Sequence, residues 1–115
     1  MVTLQDIEET ANKVYTQKSL TTGWPDCYDI SEDIKDALIT EHDINMEYLS
    51  LRECFPTAGY RHYVLEVSSM VTGESIVIDA SFEQFDETTD TPVNAGRNVD
   101  PVVVVSPAAS YLYFN

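Results

Sequence analysis

The chain has 115 residues, 43% of them hydrophobic, which suits a single domain over residues 1–115 with its own core. Twenty Asp and Glu residues against six Lys and Arg residues give a formal net charge of −14, which argues against nucleic acid as a partner. No apolar run approaches the roughly 20 residues of a membrane span, and the N-terminus lacks a signal-peptide pattern. We therefore expect no membrane partner and a cytoplasmic location, or a virion-associated one if a virus encodes the protein.

The acidic residues are scattered along the chain rather than collected in a tail, and Lys is scarce throughout. Because salt screens the repulsion between exposed charges, this distribution favours a protein of an extreme halophile. An acidic mimic, or a partner of a basic protein, is the alternative. In the halophile interpretation most Asp and Glu side chains are solvated surface groups.

The N-terminal third predicts two helices. Thr3 can cap the first helix, with Asp6 in the position that closes a capping box. This helix is expected to fade near Leu20, and Pro25 is well placed to open the second helix, which should stop near His42. Apolar residues fall at helical spacings along both segments: Leu4, Ile7, Ala11 and Val14 in the first, and Cys27, Ile30, Ile34, Ala37 and Leu38 in the second.

The following segments predict an antiparallel sheet. Ile44–Cys54 fits a strand with imperfect alternation, whereas Arg61–Met70 alternates well. A hairpin turn with Gly73 near its tip leads to the return strand Ile76–Ala80, and Val102–Ser106 is the last strand. Helices followed by such a sheet make an α+β domain, with the N-terminal helices packed on the antiparallel sheet.

Three other C-terminal segments have simpler interpretations. Ser81–Phe85 fits one short helical turn, and residues 86–100 form a surface loop rich in acidic residues. We expect the aromatic segment Ser110–Asn115 to pack on the sheet.

Three residues that suit cysteine chemistry fall on neighbouring predicted elements. Cys27 begins the second helix, and His62 and Asp79 lie on opposite arms of one hairpin. A nucleophilic cysteine needs a base near its sulfur and a carboxylate that holds the imidazole in its working tautomer. A helix N-terminus stabilises thiolate and offers a backbone N–H to an oxyanion. Taken alone, a cysteine such as Cys27 is more often a small buried residue, so the hypothesis depends on all three groups.

The segments "GWPDCYDIS", "HYVLEV" and "GESIVIDAS" together resemble the transglutaminase-like branch of the papain-like cysteine hydrolases. The resemblance covers Gly23 to about Phe85. It rests on the order of Cys27, His62 and Asp79 and on flanking matches at three further positions: Tyr63, Glu66 and Ser81.

This resemblance implies a papain-like or transglutaminase-like core and thiol chemistry on acyl groups. Cys27 would be the nucleophile, His62 the general base and then acid, and Asp79 the group that orients the ring. A peptide or protein would be the substrate. Three residues are candidates for oxyanion stabilisation or substrate binding because of their places near the cysteine or the aspartate: Trp24, Gln17 and Gln84.

We expect no metal and no cofactor. The two cysteines and two histidines show neither C-x-x-C nor H-x-x-x-H spacing, so a structural zinc site is not indicated.

Two classes of function remain open at this point. The first is a cysteine hydrolase or acyltransferase that acts on peptide or amide bonds. The second is a non-catalytic module of the same fold in a larger assembly of a halophilic cell or its virus, which the short chain and the aromatic tail favour. Fold alone does not decide between them. The position of the Cys27 sulfur, beside the His62 ring or sealed away from it, would distinguish them.

The net charge leads to a first testable prediction. Because a charge of −14 on one small domain is costly unless it is screened, molar salt should raise the melting temperature. Thermal melts at low and at molar salt test this expectation. A melting temperature that stays flat or falls as salt rises would contradict halophilic adaptation.

Overall fold

The computed structural model describes residues 2–22, 27–57, 60–80 and 104–107. Within these ranges, two long helices precede a four-stranded sheet, which confirms the α+β class. A 3-10 turn, Met46–Tyr48, leads into the first strand, and a short helix joins the second strand to the third. The elements are α1 (Leu4–Thr22), α2 (Cys27–His42), β1 (Leu49–Thr57), β2 (Tyr60–Val67), α3 (Ser69–Thr72), β3 (Ile76–Asp79) and β4 (Val104–Pro107).

The predictions for the C-terminal part fall mostly outside the described residues. This applies to the helical turn Ser81–Phe85, to the loop over residues 86–100 and to the segment Ser110–Asn115. Of the last predicted strand, Val104 onward is described, and it forms β4.

The sheet has the order β1-β2-β3-β4 with every neighbouring pair antiparallel. The predicted pairing of the two hairpin arms is confirmed, because Leu65 lies opposite Ile78. The same register puts Asp79, the last residue of β3, beside Val64. The start of β2, which carries His62, therefore extends past the end of β3.

The predicted capping box at the start of α1 is confirmed. The Thr3 backbone N–H donates to the Asp6 carboxylate at 2.9 Å, and the Asp6 N–H donates to the Thr3 hydroxyl at 3.1 Å. These bonds satisfy N–H groups that have no partner within the helix, and they lower the pKa of the Asp6 carboxyl.

Helices α1 and α2 lie side by side and are joined by polar contacts along their length. Lys18 pairs with Asp33 at 2.8 Å, and Lys13 pairs with Glu41. Below these contacts, both helices pack against the face of the sheet that carries Leu65. The buried residues of this core are Ile7, Ala11, Tyr15, Ile30, Ile34, Leu38, Ile44, Leu49, Leu65, Val67, Ile76, Ile78, Ala80 and Val105.

Two predicted strands have different bounds in the structure, and a polar side chain explains each difference. The first strand begins at Leu49 instead of Ile44, because the Asn45 side chain accepts the Glu47 N–H at 3.0 Å and caps a 3-10 turn. The second strand ends at Val67, where Ser68 caps α3 by accepting the Met70 N–H at 3.2 Å.

A short helix therefore replaces the predicted hairpin turn around Gly73. Gly73 ends α3 with a φ of 98°, in the left-handed region that favours glycine.

Two leucines that both lie on helices should contribute differently to the free energy of unfolding, because only one of them lies in the core. Leu38 is fully buried, whereas Leu20 is 81% exposed. Leu38→Ala should lower the free energy of unfolding by about 2–5 kcal/mol, because it removes buried methyl groups and leaves a cavity. Leu20→Ala should change it by less than about 0.5 kcal/mol. Urea unfolding of both variants measures the difference, and equal losses would contradict this assignment of the core.

Candidate active site

His62 and Asp79 form a buried pair on neighbouring strands of the sheet. The His62 Nε2 atom lies 2.9 Å from the Asp79 Oδ1 atom, and both side chains are inaccessible to solvent. His62 is two residues from Val64, which stands beside Asp79, so alternation along the strands puts both polar side chains on one face. The distance from His62 Nε2 to Asp79 Oδ1 falls in the range expected when a carboxylate orients a histidine ring.

The environment of the pair favours a protonated imidazole. Burial by itself lowers the pKa of His62, but hydrogen bonds and negative charge from Asp79 and from Cys27 outweigh it and raise the pKa to about 9. The ring is therefore an imidazolium at neutral pH. Because Nε2 faces Asp79, the remaining ring nitrogen, Nδ1, is the one available to the Cys27 sulfur.

Cys27 is the first residue of α2 and is partly buried. It is one of the two groups that raise the pKa of His62, so its side chain lies near the imidazole ring that the Asp79 carboxylate contacts. The sulfur also lies at the positive end of the helix dipole, where negative charge is stabilised. The three side chains named from the sequence are thus brought together at one place in the fold.

Contacts just beyond Cys27 hold the start of α2 against β2. The Tyr28 and Tyr63 rings meet edge to face with centroids 5.1 Å apart. The Ser31 hydroxyl donates to the Tyr63 carbonyl oxygen at 3.4 Å, and the Tyr63 hydroxyl donates to Glu53 on β1 at 3.0 Å. These contacts link helix and strand beside the cysteine–histidine contact.

Sequence reasoning did not identify Ser31 or Glu53 as part of this region. Ser31 is only the last residue of the quoted segment that holds Cys27, and Glu53 is one of many acidic residues. The available signal was positional, because Tyr28 and Tyr63 directly follow Cys27 and His62 along the chain.

The other predicted site residues are Gln17, Trp24 and Gln84. Gln17 lies on α1 with an exposed side chain. Trp24 and Gln84 lie outside the described residues. Glu66 accepts from Arg52 at 3.1 Å and from Ser75 at 3.2 Å, and it lines a polar pocket near α3, four residues along β2 from His62.

Among the residues in the described ranges, no three or more His, Cys, Asp or Glu side chains are grouped so as to hold a metal ion. Within the same ranges, no helix has both the length and the apolar character needed to cross a membrane.

Comparisons of the chain with protein-family models, with curated proteins and with solved structures give no match in any of the three. The functional interpretation therefore depends on the sequence pattern and on the geometry of the site.

The raised pKa of His62 predicts how stability depends on pH. The pKa of His62 is about 9 in the folded protein, against an ordinary value of 6.5. The charged ring therefore stabilises the fold fully below about pH 6.5. This stabilisation, of the order of 3 kcal/mol, should be lost as pH rises to about 9. Urea unfolding across this pH window measures the loss.

Asp79→Asn serves as the comparison for this prediction. An amide at this position can still hydrogen-bond to the ring but supplies no negative charge, so the variant should lose much less stability over the same pH window. Wild-type stability that is constant or increases between about pH 6.5 and about 9 would contradict a buried imidazolium.

Proposed function

We propose that the protein is a transglutaminase-like or papain-like cysteine hydrolase or acyltransferase that acts on peptide or amide bonds. The observation that carries this proposal is a single imidazole ring that two groups influence. The Asp79 carboxylate lies 2.9 Å from the His62 ring, and Cys27 lies near enough to the same ring to raise its pKa. This is the arrangement that a nucleophilic thiol requires.

The first half of the reaction would form a thioester. The imidazolium of His62 stabilises the Cys27 thiolate, which attacks the carbonyl carbon of the substrate. Negative charge then develops on the carbonyl oxygen, and backbone N–H groups at the start of α2 are positioned to stabilise it. As the C–N bond breaks, His62 donates its proton to the departing amine, and the acyl group remains bonded to the Cys27 sulfur.

The second half would release the acyl group. His62, now neutral, accepts a proton from water or from an amine as that molecule attacks the thioester carbonyl. The C–S bond breaks, the thiolate forms again, and the imidazolium is restored. Water as the acceptor gives hydrolysis, and an amine gives acyl transfer.

Asp79 would act through His62 rather than on the substrate. Its hydrogen bond to Nε2 fixes the ring orientation and keeps Nδ1 directed to the sulfur, and its charge stabilises the imidazolium. Because the carboxylate is fully buried, water does not compete for this hydrogen bond.

The chain order also supports the proposed family. A cysteine at a helix start precedes a histidine on one strand and an aspartate on the antiparallel neighbour, and the helix packs on that sheet. The transglutaminase-like pattern has the same order of elements, and a peptide or protein substrate follows from it. Adaptation to high salt, in a halophilic cell or its virus, is the proposal that the net charge supports.

Substitution of Cys27 and of His62 tests this proposal. A chromogenic thiol-reactive ester should acylate Cys27 in the native protein, and mass spectrometry of the peptide that contains Cys27 should detect the thioester. Cys27→Ser should abolish this adduct. His62→Gln should slow acylation by about 10²–10⁴-fold, because it removes the general acid and base.

The second histidine supplies a matched control. His42 bonds to the Thr10 hydroxyl at 2.8 Å at the far end of α2, so His42→Gln should leave the acylation rate near that of the wild type. Equal rates in wild type, His62→Gln and His42→Gln would contradict the proposal. A Cys27 that lies beside His62 but forms no acyl adduct would instead indicate a non-catalytic module.

A further inference from the structure

One polar side chain interrupts the buried face of α2. The buried residues of this helix are Ile30, Ser31, Ile34 and Leu38. Ser31 is only 1% exposed, although serine usually lies at the surface of a protein. A hydroxyl group without contact with water is costly unless a partner satisfies it. A serine among aliphatic residues at this position therefore needs a physical reason.

The Ser31 hydroxyl has its partner on the sheet. It donates to the Tyr63 carbonyl oxygen, on β2, at 3.4 Å. A serine inside a helix often bonds back to a carbonyl of the preceding turn, whereas this bond crosses from a helix to a strand. Because the acceptor is a backbone atom, the bond ties α2 to the strand itself and not to a movable side chain.

This bond lies close to the proposed thiol site along both elements. Ser31 follows Cys27 by four residues on α2, so the two side chains share one face of the helix, about one turn apart. On β2, Tyr63 directly follows His62. A displacement of the start of α2 would therefore change the Ser31–Tyr63 bond and the place of Cys27 relative to His62 together.

We propose that Ser31 is a positioning residue, which holds the start of α2 on β2 so that Cys27 stays near the His62 ring. The inference rests on the proposed thiol chemistry and adds to it a residue that acts through Cys27. A misplacement of about 1 Å at a reacting group can slow a reaction by about 10²-fold. A bond one helical turn from the sulfur is close enough to control such a displacement.

Close packing is the competing explanation for a serine at this position. A small side chain lets a helix and a strand approach each other, and in that role alanine would serve as well as serine. Ser31→Ala removes the hydroxyl oxygen and adds no volume, so the two explanations predict different results for this variant.

The first measurement follows the His62 ring by NMR in the native full chain, with isotope-labelled histidine. The pKa of His62 should be about 9 in the wild type, and Cys27→Ala should lower it by about one pH unit, because Cys27 is one of the groups that raise it. Ser31→Ala should lower the pKa of His62 by about half as much, because Cys27 is no longer held near the ring. A role in packing alone would leave this pKa unchanged.

The second measurement is the rate at which the chromogenic ester acylates Cys27. Ser31→Ala should slow this reaction by about tenfold near neutral pH, because the sulfur and the ring are less well aligned. Mass spectrometry of the peptide that contains Cys27 assigns the adduct to this residue.

Two further variants form a matched pair. Threonine and valine have nearly the same shape, and only threonine has a hydroxyl group. Ser31→Thr should therefore keep the pKa of His62 and the acylation rate closer to the wild-type values than Ser31→Val does. Because both variants add a methyl group, their difference reports the hydroxyl even where the added volume disturbs the packing.

Ile34→Val is the control for a general loss of stability. It removes a methyl group from the same buried face of α2, further along the helix from Cys27. Urea unfolding should show that this variant is less stable than the wild type, while the pKa of His62 and the acylation rate stay unchanged.

The outcomes separate the inference from the function on which it rests. A lower pKa of His62 and a slower acylation in Ser31→Ala and Ser31→Val, but not in Ile34→Val, support the positioning role. Wild-type values in Ser31→Ala, equal values in Ser31→Thr and Ser31→Val, or an equal effect of Ile34→Val overturn it and leave the thiol chemistry intact. A wild-type chain that forms no acyl adduct contradicts the proposed function, and the NMR measurement then still decides whether Ser31 holds Cys27 near His62.

Discussion

The buried pair of His62 and Asp79 is the constraint on which the rest of the site depends. A charged or polar group without contact with water is costly unless a partner satisfies it, and each of these side chains satisfies the other at 2.9 Å. Because side chains alternate along a strand, a one-residue slip of β3 against β2 would turn Asp79 to the face of the sheet opposite to His62. The pair would then be broken, so the polar contact and the sheet register specify each other.

The two faces of the sheet carry different side chains, because side chains alternate along each strand. Leu65 and Ile78 stand opposite each other and join the core beneath the helices. Val64 lies on the other face, where it is buried beside the polar pair. Since β3 ends at Asp79, the start of β2, which carries His62, extends past it.

One group of the site, the His62 ring, carries a charge opposite in sign to that of the molecule. The chain is strongly acidic, whereas the buried ring of His62, with a pKa of about 9, is cationic at neutral pH. Burial opposes this charge, and the Asp79 carboxylate and the Cys27 sulfur compensate for it at short range. Salt screens the exposed carboxylates but has little effect inside the fold, so the surface can adapt to the solvent without changing the site.

The sequence by itself was sufficient for the elements that local chemistry controls. It predicted the capping box at Thr3, the helix that begins at Cys27, and the hairpin that joins His62 to Asp79, because caps and alternation act between residues close in the chain. It was wrong about the start of β1 and the end of β2, where Asn45 and Ser68 cap short helical turns that compete with strand.

Other features of the candidate site depend on contacts between residues distant in the chain. The acid that meets Tyr63 is Glu53 rather than another of the twenty, because the register of β1 against β2 puts it directly opposite.

The sequence named Cys27, His62 and Asp79 as chemically suitable. Only the tertiary structure brought the imidazole into contact with the carboxylate and Cys27 near the ring, since long-range register and burial are set by the whole core rather than by any one segment.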